Sequence, residues 1–191
     1  MRRGVQILLL TDAWWSLAIG LIGPIYAIFV QDIGGDILDA SWAYFAFMFS
    51  SGVALYLFGK IEDKIKKPQY ALTLGYVLLS LGCFSYIFVH DQFTLVITQI
   101  ILGMGIAVAS PIFDAMYGRF VSKGHAASEW GDWEAMGYIV TAIASLIGGY
   151  LATLVGFRWL FIIMFAISVL SVITSLFLPA EQVKRRRKSV E

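Results

Sequence analysis

Three carboxylates, Asp12, Asp114 and Glu134, each lie inside a long apolar run of the chain. An ionised group in hydrocarbon is costly unless it faces protein or water, and such residues tend to mark proton, ion or solute paths. Asp12 falls about 10 Å along its helix at 1.5 Å per residue. Its carboxylate must therefore be protonated, paired or hydrated. Each acid also has polar or small companions on its own helical face. Asp12, Ser16, Gly20, Gly23 and Ala27 fall within about 80 degrees of one another, with Trp15 and Tyr26 flanking. Gln99, Gly103, Ser110, Asp114 and Tyr117 fall within about 60 degrees, while Leu95, Ile101 and Val108 point elsewhere. Glu134, Tyr138, Thr141, Ser145 and Gly149 repeat the pattern. Small groups four residues apart serve close helix contact as readily as they line a cavity.

Other chemistry is thinly represented. His90 and His125 are the only histidines, and neither belongs to an H-E-x-x-H arrangement. No G-x-x-x-x-G-K-[ST] loop occurs, which excludes nucleotide-driven pumping by that device. Cys83 is the single cysteine and lies in an apolar stretch, so it forms no intramolecular disulfide and reads as a packed or lipid-facing thiol. No catalytic group, metal site or cofactor is expected, and the chain does not read as an enzyme.

The elements that position these residues follow from composition. The chain has 191 residues, of which 59% are hydrophobic and 14% charged, and a mean hydropathy of +0.79. Soluble domains are about 45–50% apolar. A bilayer-spanning helix needs about 20 mostly apolar residues, so this length holds six spans and no soluble domain. The apolar runs place them at 5–30, 41–59, 69–90, 93–118, 131–155 and 157–178. Arg2 and Arg3 precede the first run as in a signal peptide, but the run is too long for one and reads as a retained span. The expected fold is all-α, a polytopic bundle over 1–180 with a basic tail over 181–191.

The net charge of +1 conceals a strong asymmetry. With the N-terminus inside, 13 of the 14 Lys and Arg residues lie on the cytoplasmic side and only Arg158 lies outside. The first outer link carries Asp32, Asp36 and Asp39 and no cation. Both termini are therefore expected in the cytoplasm. The run from Lys184 to Lys188 reads as a topology determinant or a lipid-headgroup anchor, not as a nucleic-acid patch.

The link after the second span reads Gly59-Lys-Ile-Glu-Asp63-Lys64-Ile-Lys66-Lys67. It resembles the major facilitator signature G-x-x-x-D-[RK]-x-G-[RK]-[RK], with Lys66 in place of the second glycine and Pro68 in the final basic position. Gly59 would permit close helix approach, and Asp63 could accept from a cation such as Arg119, making Gly59, Asp63, Lys64 and Arg119 a candidate gating group. The stretch Gln99-Ile-Ile-Leu-Gly103-Met-Gly105-Ile-Ala107 is similar to the family's R-x-x-x-G-x-G-x-A segment, with Gln99 replacing the arginine. Gly156-Phe157-Arg158-Trp159-Leu160-Phe161 is similar to its G-[WF]-R-W-x-F turn.

The resemblance implies one six-helix half of a major facilitator transporter, built as a 3+3 inverted repeat. It implies a secondary transporter in a bacterial or archaeal cytoplasmic membrane, moving a small solute by alternating access. The first, fourth and fifth spans would line the path, with Asp12, Ser16, Tyr26, Gln99, Asp114, Glu134 and Tyr138 as candidate path residues. The third and sixth spans, with Phe84, Phe88, Leu160, Phe161 and Phe165 and no acid, would be lipid-facing supports. One half supplies one wall of the path, so a homodimer or a complementary half is the expected partner, beside the bilayer and an unidentified substrate. A non-transporting remnant or accessory membrane subunit is the alternative.

Overall fold

A computed structural model describes residues 3–62, 65–122 and 124–179. Six helical segments long and apolar enough to cross a membrane run over Gly4–Asp32, Ile37–Gly59, Pro68–Phe88, Gln92–Phe120, Ala126–Val155 and Phe157–Leu176. These match the apolar runs closely. The fifth starts five residues earlier than the apolar run, because Ala126-Ala-Ser-Glu-Trp is polar yet helical.

The first span is two helices, α1 (Arg3–Gly20) and α2 (Tyr26–Asp32), joined by a 3-10 turn over Gly23–Ile25. Pro24 causes the break, since it has no N–H to give and its ring obstructs the preceding turn. The Ile25 N–H bonds the Ile22 carbonyl at 3.0 Å, the tighter spacing of that turn. Gly34, at φ +83, turns the chain toward α3 (Ile37–Glu62). Asp36 and Asp39 start that helix reciprocally, each carboxylate accepting from the other's backbone N–H at 2.9 and 3.0 Å.

Pro68 opens α4 (Pro68–Ser85), in the first turn, where a missing N–H costs nothing. Asp91 and Thr94 form a capping box at the head of α5 (Gln92–Phe120), and the Thr94 backbone N–H holds the Asp91 carboxyl below its ordinary range. Gly156, at φ +83, separates α6 (Ala126–Val155) from α7 (Phe157–Leu176).

Packing follows a two-fold plan. The first span packs on the fifth and sixth, the fourth packs on the second and third, and the third packs on the sixth. Exchanging the first three spans for the last three leaves that pattern unchanged, as an inverted repeat requires.

Small residues bring the backbones together. A Cβ at Gly105 would lie 2.7 Å from a Leu79 side-chain carbon, one at Gly75 2.8 Å from Ala109, and one at Gly103 2.1 Å from the Ser50 hydroxyl. The two glycines of the Gly103-x-Gly105 motif thus seat α5 against α3 on one side and α4 on the other. Hydroxyls fasten α7 in place: Ser168 donates to Ser80 at 3.0 Å, Ser175 to Thr73 at 2.9 Å, and Thr11 of α1 to Thr174 at 3.1 Å. In hydrocarbon such inter-helix bonds contribute about 0.6 kcal/mol each on average.

The expectation for the third and sixth spans holds only on their outer faces. Phe84 and Phe88 do point outward, but Leu160 and Phe161 are buried, with Phe161 against Phe29 and Tyr86. Lacking acids, these spans still have an inner face to pack, and apolar residues serve core and lipid equally well. The second and fifth spans are the least covered of the six.

Candidate functional site

The structure divides the candidate residues into two groups, separated along the first span by about 20 Å. The first centres on Asp12. Its Oδ2 accepts from the Trp133 indole N–H of α6 at 2.7 Å, and the buried Tyr76 hydroxyl of α4 approaches the same carboxylate. Asp114 of α5 lies within electrostatic reach of both.

Aromatic rings enclose this group on the α5 and α6 sides. Phe113 and Trp133 have centroids 5.2 Å apart, Tyr117 and Trp130 5.0 Å, and Trp130 and Trp133 5.3 Å. The Tyr117 hydroxyl donates to the Glu129 carbonyl and ties the end of α5 to the start of α6. Toward the amino-terminal side a cavity of 590 Å³ opens among Val5, Tyr117, Ser122, Glu129 and Asp132. Val5 is seven residues before Asp12, about two turns along the same face of α1.

The second group lies toward the other side of the membrane. The Gln99 amide donates to the Tyr26 hydroxyl at 2.8 Å and to the Tyr86 hydroxyl at 3.2 Å. Gln99 is buried, as is Tyr86. In the position where the resembled motif has an arginine, this chain therefore carries a neutral amide bound to two phenols. Tyr26 also borders a cleft of 600 Å³ lined by Gln31, Asp36, Ser41, Tyr44 and Met48.

The remaining candidates fall outside both groups. Ser16 is half-buried on α1, and Ser110 and Glu134 are exposed, as is Asp114 of the first group. Tyr138 is 76% exposed, which places it on the outer surface of α6. The fifth-span stripe reaches the helix contact only through the Thr141 backbone, whose Cα lies 3.2 Å from a Cβ built at Gly20, and Ala144 and Gly148 make the rest of it. A Cβ at Gly20 would meet the Ala144 methyl at 2.8 Å, and one at Gly148 the Leu21 carbonyl oxygen at 1.8 Å, whereas Gly149 faces open space. Gly59 likewise has no neighbour within 4 Å, so the close approach expected there is not made within the described residues. Arg119 sits in the last turn of α5, where its charge suits the helix C-terminus. Asp63 and Lys64 lie outside the described residues, as does the tail over 181–191.

Sequence reasoning missed Trp133, Tyr76 and Tyr86. The signal for Trp133 was its spacing of three from Trp130, which puts two indoles on one face of α6. Tyr76 and Tyr86 carried no such signal, since a tyrosine in an apolar run is ordinary and its partner is distant in sequence.

A polytopic bundle of this plan, with six helices long and apolar enough to cross a membrane, has the form of a multi-pass membrane protein. Residues 15–191 match the Major Facilitator Superfamily, and the chain belongs to that family. It is 28% identical over 176 residues to the quinolone resistance protein NorB of Staphylococcus aureus (strain bovine RF122 / ET3-1), covering 87% of this chain and 36% of NorB. It is 23% identical over 175 residues to an MFS-type transporter of Methanocaldococcus jannaschii, covering 92% of this chain and 45% of that protein. The chain spans less than half the length of these relatives. It is an integral, multi-pass membrane protein of a transporter family, in agreement with the expectation that it is not an enzyme.

Proposed function

We propose that this chain forms one wall of a secondary transporter that moves a small solute by alternating access, the other wall being supplied by a second six-helix half. That half is a second copy of this chain or another polypeptide segment. The observation that carries the reading is the placement of Asp12 and Asp114. Both lie within spans, and Asp114 is exposed on a side that the bundle itself leaves uncovered. Hydrocarbon cannot cover such a surface cheaply, whereas a hydrated path between two halves can. Placing both termini in the cytoplasm, as the Lys and Arg distribution favours, makes the 590 Å³ cavity an opening toward the cytoplasm.

Asp12 is the residue assigned to coupling. Protonation removes the desolvation cost of its carboxylate and so biases one arrangement of the path over another. NorB is named for quinolone resistance, which makes a fluorescent fluoroquinolone the first solute to test. Protein purified with whatever half accompanies it, reconstituted in proteoliposomes, should move that solute or another in response to an imposed pH gradient. Asp12→Asn should abolish the gradient dependence. Uptake that keeps its full pH response in Asp12→Asn would overturn the coupling role, and a preparation that moves no solute under any gradient would overturn the transport reading.

A further inference from the structure

The bond between Trp133 and Asp12 ties α6 to α1 across 121 residues of sequence. At 2.7 Å it has the length of a charge-assisted bond, which is roughly twice as strong to a carboxylate as to a neutral acceptor. Its strength therefore depends on whether Asp12 carries a proton. The donor is also held in place. The Trp133 ring is half-buried and packs with Phe113 at 5.2 Å, Trp130 at 5.3 Å and Tyr117 at 5.7 Å between centroids. Tyr117 in turn donates to the Glu129 carbonyl and lines the 590 Å³ cavity with Glu129 and Asp132. An indole has two side-chain torsions, and rings of two helices packed around it fix both, so the N–H is aimed before any proton arrives.

The other groups around Asp12 differ in kind. The α4 helix brings the Tyr76 hydroxyl, and α5 brings Asp114, with Tyr117 and Arg119 further along it. The α6 helix brings Glu129 and Asp132, within four residues before Trp133. The α7 helix brings the Thr174 hydroxyl, which is bonded to Thr11, and α1 itself starts at Arg3, nine residues before Asp12. Charges on these neighbours act on Asp12 whatever occupies position 133. The indole adds a separate, directional contribution that a single substitution can remove: a donor that favours the charged form of the carboxyl over the neutral one.

We propose that Trp133 is a positioning residue for proton coupling, whose N–H sets the pH at which Asp12 exchanges its proton with the water of the path. Uptake forms an O–H bond on the carboxylate at the expense of a hydronium ion, and release returns the proton to water. The proposal rests on the assignment of Asp12 to coupling made above, but the exchange itself can be measured without transport.

The test titrates the full chain in nanodiscs by infrared difference spectroscopy. The carbonyl band of a protonated carboxyl that disappears in Asp12→Asn belongs to Asp12. Two variants then separate the N–H from the ring. Trp133→Phe keeps a ring and loses the donor, whereas Trp133→Gln loses the ring and keeps an N–H the same number of bonds from Cα. In Trp133→Phe the Asp12 band should titrate about one pH unit higher than in the parent, because the charged form has lost a donor that the neutral form uses less. In Trp133→Gln it should titrate near the parent. The pH profile of uptake in proteoliposomes should move with the band, in the same order. A band that stays at the parental pH in Trp133→Phe would overturn the proposal, as would no Asp12 band at any pH. So would an equal shift in both variants, which marks a packing role for the ring. The expected band shift together with a full pH response of uptake in Asp12→Asn would sink the coupling assignment and leave the hold of Trp133 on the Asp12 proton standing.

Discussion

Replacing Gly148 by alanine puts a methyl carbon 1.8 Å from the Leu21 carbonyl oxygen, 2.6 Å from its carbon and 2.8 Å from its Cα. Ordinary contact needs about 3.5 Å, so α1 and α6 must part locally by about 1.5 Å. Overpacking of this kind costs about 1–3 kcal/mol, and the upper end applies because the obstacle is backbone and cannot rotate away. Alanine recovers about 1 kcal/mol of helix propensity over glycine, leaving a net loss of about 2 kcal/mol. Gly149, the next residue, has nothing within 4 Å of a built Cβ. Gly149→Ala should therefore keep the propensity gain alone. The two variants should differ by about 3 kcal/mol, or roughly 6–12 °C in a chain of this size. Heating the detergent-solubilised protein in steps and scoring the fraction that remains monodisperse on gel filtration reads the difference directly. Parting the helices also stretches the Trp133–Asp12 bond, so Gly148→Ala should red-shift the tryptophan emission before melting. A Gly148→Ala protein that melts with or above Gly149→Ala would refute the backbone contact and the close approach of α1 and α6.

Trp133→Phe keeps a ring beside Phe113 and Tyr117 but leaves Asp12 one donor short, and should cost about 1–2 kcal/mol in the same melting assay; an unchanged midpoint would remove the indole from any role at Asp12. The Asp91 carboxyl is held low by the Thr94 backbone N–H, so its stabilising effect is present above the ordinary value near about 4 and is lost as pH falls through the lower folded value. Because Asp91 is fully exposed the effect is small: the parent should lose slightly more thermal stability than Asp91→Asn on acidification below about pH 4, and the opposite order would contradict the cap. Gly59→Leu meets open space in this chain and should leave the bundle's melting unchanged while reducing gradient-driven uptake if the second half packs there; a destabilised bundle would show that Gly59 is already covered.

The spans were legible because each needs about 20 apolar residues and leaves a polar link, a signal that survives without knowledge of neighbours. The break at Pro24 was less so, since the apolar run continues through it. Helical periodicity placed Asp12, Gln99 and Asp114 on polar stripes, and the structure puts Asp12 near Asp114 and Gln99 near Tyr26. It could not tell which stripe meets which. That depends on crossing points such as Gly20 on Ala144 and Gly148 on Leu21, where side-chain size matters and polarity does not. The same limit moved most of the fifth-span stripe outward: Thr141, Ser145 and Gly149 have the spacing of a packing face, but Ala144 and Gly148 have it too and, with the Thr141 backbone, make the contact.

The outer surface of the bundle is of two kinds, and the difference bears on what covers it. On the third and sixth spans the exposed side chains include Leu74, Leu81 and Phe84 of α4 and Leu170 and Ile173 of α7, all apolar and at home in lipid. On the fourth and fifth spans Ser110, Asp114 and Glu134 are exposed beside Tyr138 and Ile139. Exposed hydroxyls alone would decide nothing, because Ser145 and Thr153 bond back to their own helix at 2.8 Å and can sit in hydrocarbon. A carboxylate has no such refuge, since a helix with its N–H groups already bonded offers it no donor. Asp114 and Glu134 must therefore be protonated or meet water or another protein surface. Lipid on one side and a hydrated partner on the other is the division that a half-bundle lining a path needs. A symmetric coat of lipid would fit only if both acids stayed protonated.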